Sequence, residues 1–302
     1  MIFYIIYLLS LLTYSNEYEY IYREENNQKT NCYLLVKPKG KIKGLVVRDF
    51  SKLPDTSKAN PYKFETICTE NNLMTVYVTT SGRTPELYYF DEDMMLLDDI
   101  INEIVNNYNI PKDNIFIGGI SGSGTKALRF SQYCGAGKSK YNTKIKGVFS
   151  VDSPLDIERF YLSAKTNKKY FKAGMLWEAD FVLEKFPQIL GDFNSITYQN
   201  HSVFSNFNPD NKNYKLLLNT SLIFFHEPDI DWWLEERGAS YFDINSYDIT
   251  NLYRLLKSED HFDVTIITTT GKGYDKDGER KCHSWTIVDE GLLSRWILER
   301  CD

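Results

Sequence analysis

The chain has 302 residues and a net charge of −6, with 42% hydrophobic and 25% charged residues. These proportions are typical of a soluble globular protein, and the length is enough for one large domain or two small ones. They exclude a disordered, collagen-like or coiled-coil chain. The acidic charge balance argues against a nucleic acid or an anionic membrane as partner, because both require a basic face.

The first 15 residues form a strongly apolar segment. Between Ile2 and Leu12 only Ser10 and two tyrosines are polar, and this run is too short to cross a bilayer comfortably. It is typical of the apolar part of a secretory signal. We therefore predict a signal peptide over residues 1–15 and a secreted or periplasmic protein without stable membrane association after cleavage. An uncleaved N-terminal membrane anchor is the alternative.

Short apolar strands alternate with amphipathic helices after this segment. The patterns predict strands at 17–23, 31–36, 44–47, 73–79, 114–119, 146–151, 221–225 and 262–268, and helices at 60–72, 91–108, 125–133 and 285–299. Asn60 and Pro61 are suited to the start of the first helix. This alternation predicts one α/β domain over 16–302, with a mostly parallel central sheet covered by helices on both faces. Residues 154–220 show helical patterns and no strand pattern, which predicts a helical insertion.

The most informative segment is the glycine-rich IFIGGISGSGTKALRF of residues 115–130. A phosphate-binding loop would need a lysine and then a hydroxyl residue after Gly124. Here Thr125 precedes Lys126, so both groups would be misplaced. The segment therefore does not favour a nucleotide-binding protein.

A nucleophile elbow fits the same segment better. The sharp turn from strand to helix requires small residues two positions before and after the nucleophile. In Gly119-Ile120-Ser121-Gly122-Ser123 this condition holds around Ser121. The frame centred on Ser123 has bulkier residues at both flanks. We therefore predict Ser121 as the nucleophile of a serine hydrolase.

A catalytic acid should follow a later strand of the sheet. Asp229 and Asp231 both follow the strand predicted at 221–225. We favour Asp229, because Pro228 stiffens its approach and Asp231 can cap a helix that begins at Trp232. Asp152 and Asp156, which follow the preceding strand, are the third choice.

The catalytic histidine should follow the last strand. The chain has four histidines, and His283 alone lies in the loop between the last predicted strand and the last predicted helix. In the predicted mechanism His283 takes the proton from Ser121 during attack on an acyl carbon and gives it to the leaving group. An aspartate holds the imidazole in the required tautomer.

These residues together resemble the α/β-hydrolase superfamily, especially its esterase and prolyl-oligopeptidase-like branches. The resemblance covers residue 31 to the C-terminus and depends on YNIPKDNIFIGGISGSG, FFHEPDIDWW and KCHSWTIVDEGLLSRWI. It implies the α/β-hydrolase fold with its helical insertion (cap) after the sixth strand, and a catalytic triad that cleaves an ester or peptide bond. The chain departs from the pattern at Ser123, where glycine is usual, and in lacking His-Gly-Gly after the third strand.

The remaining site residues are predicted from their position next to the triad. The backbone amides of Gly122 and Phe50 are the expected oxyanion-hole donors. Trp232 and Trp285 are the expected walls of the substrate pocket. The aromatic side chains of the insertion are expected to pack internally instead; they are Phe160, Tyr161, Trp177 and Phe181.

We expect a carboxylic ester hydrolase rather than a peptidase, acting on a small-molecule or peptide acyl substrate. No metal site and no cofactor is expected, because the histidines are scattered and the five cysteines show no CxxC spacing. A catalytically lapsed binding protein with the same fold and an acyltransferase are the alternatives. The oligomeric state is left open.

The signal peptide gives a direct prediction. The mature protein isolated from its native host should begin near Asn16, because charge starts at Glu17 directly after the apolar run. N-terminal sequencing of the extracellular or periplasmic fraction measures this. An intact Met1 on protein from the cytosolic fraction would contradict the prediction.

Overall fold

The computed structural model describes residues 17–25, 27–55, 63–81 and 90–301. The predicted signal peptide over 1–15 lies outside these described residues, as do Asn60 and Pro61 at the predicted start of the first helix. Within the described ranges, no helix combines the length and the apolar character needed to cross a membrane.

Eight strands form one sheet. They are β1 (Glu17–Glu24), β2 (Asn27–Lys37), β3 (Gly44–Asp49), β4 (Leu73–Thr79), β5 (Ile115–Ile120), β6 (Gly147–Val151), β7 (Ser221–His226) and β8 (Val264–Thr268). Their order across the sheet is β1-β2-β4-β3-β5-β6-β7-β8. β2 is antiparallel to β1 and β4, and the strands from β4 to β8 in this order run parallel. The predicted mostly parallel sheet is therefore confirmed.

Helices cover both faces of this sheet. The α-helices of the described residues, on the sheet and outside it, are α1 (Lys63–Glu70), α2 (Asp91–Asn107), α3 (Gly122–Gly135), α4 (Ile157–Asn167), α5 (Ala173–Leu190), α6 (Ser195–His201), α7 (Ile230–Trp232), α8 (Asn245–Ser258) and α9 (Glu290–Leu298). Apolar residues of α2, α3 and α8 pack on one face, and those of α1 and α9 pack on the other. Fully burying one such side chain contributes about 1.5–3 kcal/mol.

Two helices differ from the sequence prediction. α8 was not predicted, because its asparagine, serine, aspartate and threonine residues have low helix propensity. Its residues Ile249, Leu252 and Leu256 are nevertheless spaced along one face and are fully buried in the core. The predicted final helix is divided into a short 3-10 turn and α9, because the Asp289 carboxylate accepts a hydrogen bond from the Leu292 amide (2.9 Å) and starts a new helix.

The segment 154–220, which we call the cap, contains α4, α5 and α6 between β6 and β7. No strand occurs in this segment, all of which the structure describes. Phe160 and Tyr161 are buried in a separate apolar cluster of the cap, as predicted. The prediction is wrong for Trp177, which is 60% exposed and stacks on Phe181.

A buried ion pair joins the cap to the body of the domain. Arg159 of α4 donates to Asp248 of α8, with Nε 2.9 Å from Oδ1, and both side chains have no exposed surface. Asp248 Oδ2 also accepts the backbone N–H groups of Leu155 and Asp156, at 3.0 and 3.1 Å. Because the pair is desolvated, removal of one partner would leave the other as an uncompensated buried charge.

The substitution Asp248→Asn should therefore destabilise the protein by about 3–5 kcal/mol. Asp180→Asn is the matched control, because Asp180 pairs with Lys168 on the exposed surface of the same cap. The control should cost less than about 1 kcal/mol. Urea unfolding of both variants measures the two losses, and equal losses would show that the buried pair does not hold the cap.

Candidate active site

Ser121 lies at the turn from β5 into α3 with an unusual backbone conformation. Its φ is 56° and its ψ is −132°, a combination that side-chain-bearing residues rarely adopt. The Ser121 amide donates a hydrogen bond to the Val151 carbonyl of β6 (2.9 Å), which fixes the turn against the neighbouring strand. Such strained residues are concentrated at functional sites.

Close packing around this turn explains the small residues of the motif. A Cβ atom on Gly119 would lie 2.6 Å from the Cβ of Ser123, and one on Gly124 would lie 2.1 Å from Ser153 Oγ. Glycine is therefore required at both positions. Ser123, the departure from the family pattern, donates its hydroxyl to the Asp49 carbonyl (2.6 Å) and so ties α3 to the end of β3.

The carboxylate that contacts His283 belongs to Asp152. Asp152 Oδ2 lies 2.6 Å from His283 Nδ1, and the Asp152 side chain is only 4% exposed. Asp152 follows β6 directly, and the preceding Val151 is the register partner of Ile120, which precedes Ser121. Ser121 and Asp152 therefore leave the same edge of the sheet side by side, with His283 held at Asp152.

This geometry corrects our preferred acid. The Asp229 carboxylate caps α7, with Oδ1 3.2 Å from the Trp232 amide, and its other oxygen pairs with Arg280 Nη2 at 2.8 Å. Asp231, the alternative, is exposed on α7. The order of residues along the chain is satisfied by an acid after β6 or after β7, and only the fold shows that Asp152 reaches the imidazole.

A network that the sequence analysis missed holds the loop that carries His283. The buried Glu227 carboxylate accepts the backbone N–H groups of Lys272 (3.0 Å) and Gly273 (3.1 Å) and pairs with Arg280. Arg280 in turn donates to the Gly273 carbonyl at 2.7 Å. The sequence shows only a glutamate directly after a strand. It does not show the burial of this residue or its partners, which are about 50 residues away along the chain.

The same carboxylates are an unsuitable metal site. Ligand atoms of Glu227, Asp229 and Cys282 lie within 4.8 Å of one another. The Arg280 guanidinium, however, already pairs with both carboxylates, and burial raises the pKa of the Cys282 thiol to about 12. A metal would require the thiolate and would be repelled by the arginine.

The groups around His283 shift the pKa of its imidazole in opposite directions. Burial by itself lowers the pKa of the imidazole, but the hydrogen bond that its Nδ1–H donates to Asp152 and the negative charges of Asp152 and Glu178 outweigh this effect. The pKa of His283 is therefore raised above its usual value. An imidazole that is stabilised as the cation by a buried carboxylate is suited to accept a proton during a reaction.

The two predicted oxyanion donors differ in their surroundings, and the role of Gly122 stays a prediction. Gly122 is the first residue of α3, so its N–H has no partner within the helix and lies at the positive end of the helix dipole. The prediction for Phe50 is wrong, because its N–H donates to the Val78 carbonyl at 2.9 Å and extends the sheet. Its ring packs on Tyr77.

A cavity of about 390 Å³ lies between α5 of the cap and the loops that follow β7 and β8. Its lining includes His283, the predicted Trp232, and also Met175, Trp177, Glu178, Trp233, Arg237 and Lys281, which were not predicted to line it. Trp285 is not a pocket wall, contrary to the prediction. Its ring lies 4.2 Å from the Arg48 guanidinium and packs on Phe64 in the opposite layer of the domain.

Solved structures similar to this one share its fold at low sequence identity. The Pyrococcus horikoshii acylaminoacyl peptidase has a TM-score of 0.57 at 14% identity over 89% of this chain, which spans only 39% of that protein. A Rhizomucor miehei esterase has a TM-score of 0.57 at 14% identity, covering 94% of this chain and 84% of the esterase. A fluorophosphonate-binding serine hydrolase of Staphylococcus aureus has a TM-score of 0.53 at 12% identity, covering 95% and 99%.

Comparisons of the amino-acid sequence with known proteins find no match. No protein-family model matches the chain, and no curated protein matches it. The likeness therefore lies in three-dimensional structure. The strand order, the helices on both faces and these similar structures show that the chain has the α/β-hydrolase fold.

Proposed function

We propose that this protein is a serine hydrolase that cleaves carboxylic esters through an acyl-enzyme on Ser121. The observation that carries the proposal is the hydrogen bond of 2.6 Å between His283 and Asp152, directly beside the strained turn that presents Ser121. A serine, an imidazole and a buried carboxylate at one edge of a sheet are the groups that acyl transfer requires.

Each residue has a defined role in the proposed reaction. Asp152 accepts the Nδ1–H of His283, so Nε2 of the ring is unprotonated and accepts the proton of the Ser121 hydroxyl as its oxygen attacks the acyl carbon. The imidazolium then protonates the departing oxygen as its bond to the acyl carbon breaks, and the alcohol leaves. In the second half the same ring takes a proton from water, whose oxygen attacks the acyl carbon, and returns that proton to the Ser121 oxygen as the acid leaves. The Gly122 N–H stabilises the negative charge that develops on the carbonyl oxygen.

Two arguments support an ester rather than a peptide as substrate. The chain spans most of the fungal esterase but less than half of the acylaminoacyl peptidase, so the whole-chain similarity is to the esterase. An alkoxide is also a better leaving group than the amide anion of a peptide bond, so ester cleavage depends less on protonation by His283. A small acyl ester fits the cavity of about 390 Å³ that His283 lines.

The first prediction concerns the nucleophile. Ser121→Ala should abolish covalent labelling by a fluorophosphonate probe and lower kcat on 4-nitrophenyl esters by about 10⁶-fold. Ser123→Gly is the matched control and should retain labelling, because its hydroxyl is bound to the Asp49 carbonyl. Mass spectrometry of the labelled peptide locates the adduct. An adduct on Ser123, or labelling that survives Ser121→Ala, would refute the assignment.

The second prediction distinguishes the two acids. Asp152→Asn should lower kcat by about 10⁴-fold with the fold intact, because an asparagine stabilises the wrong tautomer of His283. Asp229→Asn should stay within about tenfold of wild-type turnover and lose about 1 kcal/mol of stability, since it weakens a helix cap and an ion pair. Kinetics and thermal unfolding of both variants measure these effects. An inactive Asp229→Asn beside an active Asp152→Asn would reverse the assignment.

A further inference from the structure

Glu178 is a carboxylate in the cavity whose charge is not balanced by a partner. It lies on α5 of the cap, is partly buried, and lines the same cavity as His283. No hydrogen bond or ion pair reaches its carboxylate from the parts of the chain that the structure describes. A carboxylate that is removed from water in this way lowers stability unless something else binds it.

The positive groups that act most on Glu178 are paired with other acids, and Arg237 and Lys281, which also line the cavity, form no ion pair with it. The positive groups that act on its pKa are His283 and Arg159. His283 is bound to Asp152, and Arg159 is bound to Asp248. Burial raises the pKa of Glu178, and these two positive groups only partly oppose the effect. The structure therefore leaves the carboxylate available to a ligand.

Aromatic rings line the same cavity as this carboxylate. Trp177, Trp232 and Trp233 line the cavity, and the rings of Trp232 and Trp233 lie 5.1 Å apart in an edge-to-face arrangement. The faces of tryptophan rings attract cations, with tryptophan the strongest of the aromatic residues. The Arg237 guanidinium already makes such a cation–π contact, since it lies 4.6 Å from the Trp232 ring centroid.

We propose that Glu178 and the tryptophans of this cavity bind a positively charged ammonium group, so that the enzyme prefers esters whose acyl or alcohol part carries one. The preference for such esters rests on the proposed function, whereas the cation site itself does not. A neutral apolar group would leave the Glu178 carboxylate dehydrated and unpaired. An ammonium group balances its charge and donates hydrogen bonds to it, while the attached hydrocarbon packs on the rings.

Direct binding tests the site without any catalysis. The probe is 2-phenylethylammonium, with 2-phenylethanol as its neutral counterpart, each titrated into the full chain by calorimetry. The wild type should bind the ammonium compound at least about tenfold more tightly, since a charged hydrogen bond in a partly buried site contributes this much or more. Glu178→Gln should remove this preference. Glu184→Gln, an exposed position on the same helix, should keep it.

The inference is overturned if the wild type does not distinguish the two compounds, or if Glu178→Gln keeps the preference. A second measurement applies if Glu178→Gln folds poorly. At a pH low enough to protonate Glu178, the wild type should also lose its preference for the ammonium compound. A preference that persists there also overturns the inference.

Turnover then tests the specificity of the reaction. The wild type should hydrolyse 4-nitrophenyl esters of ω-aminoalkanoic acids with a kcat/KM at least about tenfold above that for alkanoate esters of matched length, and Glu178→Gln should equalise the two series. Equal wild-type values for the two series would overturn the preference. Failure of the proposed function gives a different result, because fluorophosphonate would then not label Ser121 while the ammonium probe still depended on Glu178.

Discussion

The sharp turn from β5 into α3 is the constraint on which the rest of the site depends. Ser121 is held at a positive φ, which costs about 1–3 kcal/mol and persists only because the surroundings fix it. The backbones at this turn approach so closely that a Cβ on Gly118 would lie 2.1 Å from the Phe149 carbonyl oxygen. Because β5 and β6 are parallel and in register here, the residue after β6 emerges beside the serine.

The position of the imidazole follows from two separate anchors. Asp152 holds the ring itself, and the Glu227–Arg280 pair holds the loop in which His283 lies. The second anchor also explains the role of Asp229, which shares Arg280 with Glu227 instead of contacting the histidine. Acidic residues at the ends of neighbouring strands thus have different roles: Asp152 holds the imidazole of His283, and the others fix the backbone of the loop.

The cap determines what can reach these groups. The buried Arg159–Asp248 pair fixes α4 to the body of the domain, and α5 then places Trp177 and Glu178 on the wall of the cavity. The body contributes Trp232 and Trp233 to the same wall. The cavity thus combines tryptophan rings with the charged side chains of Glu178, Arg237 and Lys281, so the proposed preference for a cation depends on the local contact at the Glu178 carboxylate.

The sequence alone determined the class of the fold, the helical cap and the sharp turn at Ser121, because these depend on local patterns and on the order of elements along the chain. The tertiary structure decided which carboxylate contacts His283, since residues 152 and 229 both follow strands and only the geometry at the sheet edge distinguishes them. It also showed that the Phe50 amide is not free to act as an oxyanion donor, because it continues the pairing of two strands. Trp285 does not line the cavity, because its ring packs on Arg48 in the other layer. Glu178 could not be identified from sequence, because a single acidic residue on an amphipathic helix is normally solvated, and its burial depends on how the cap folds over the sheet.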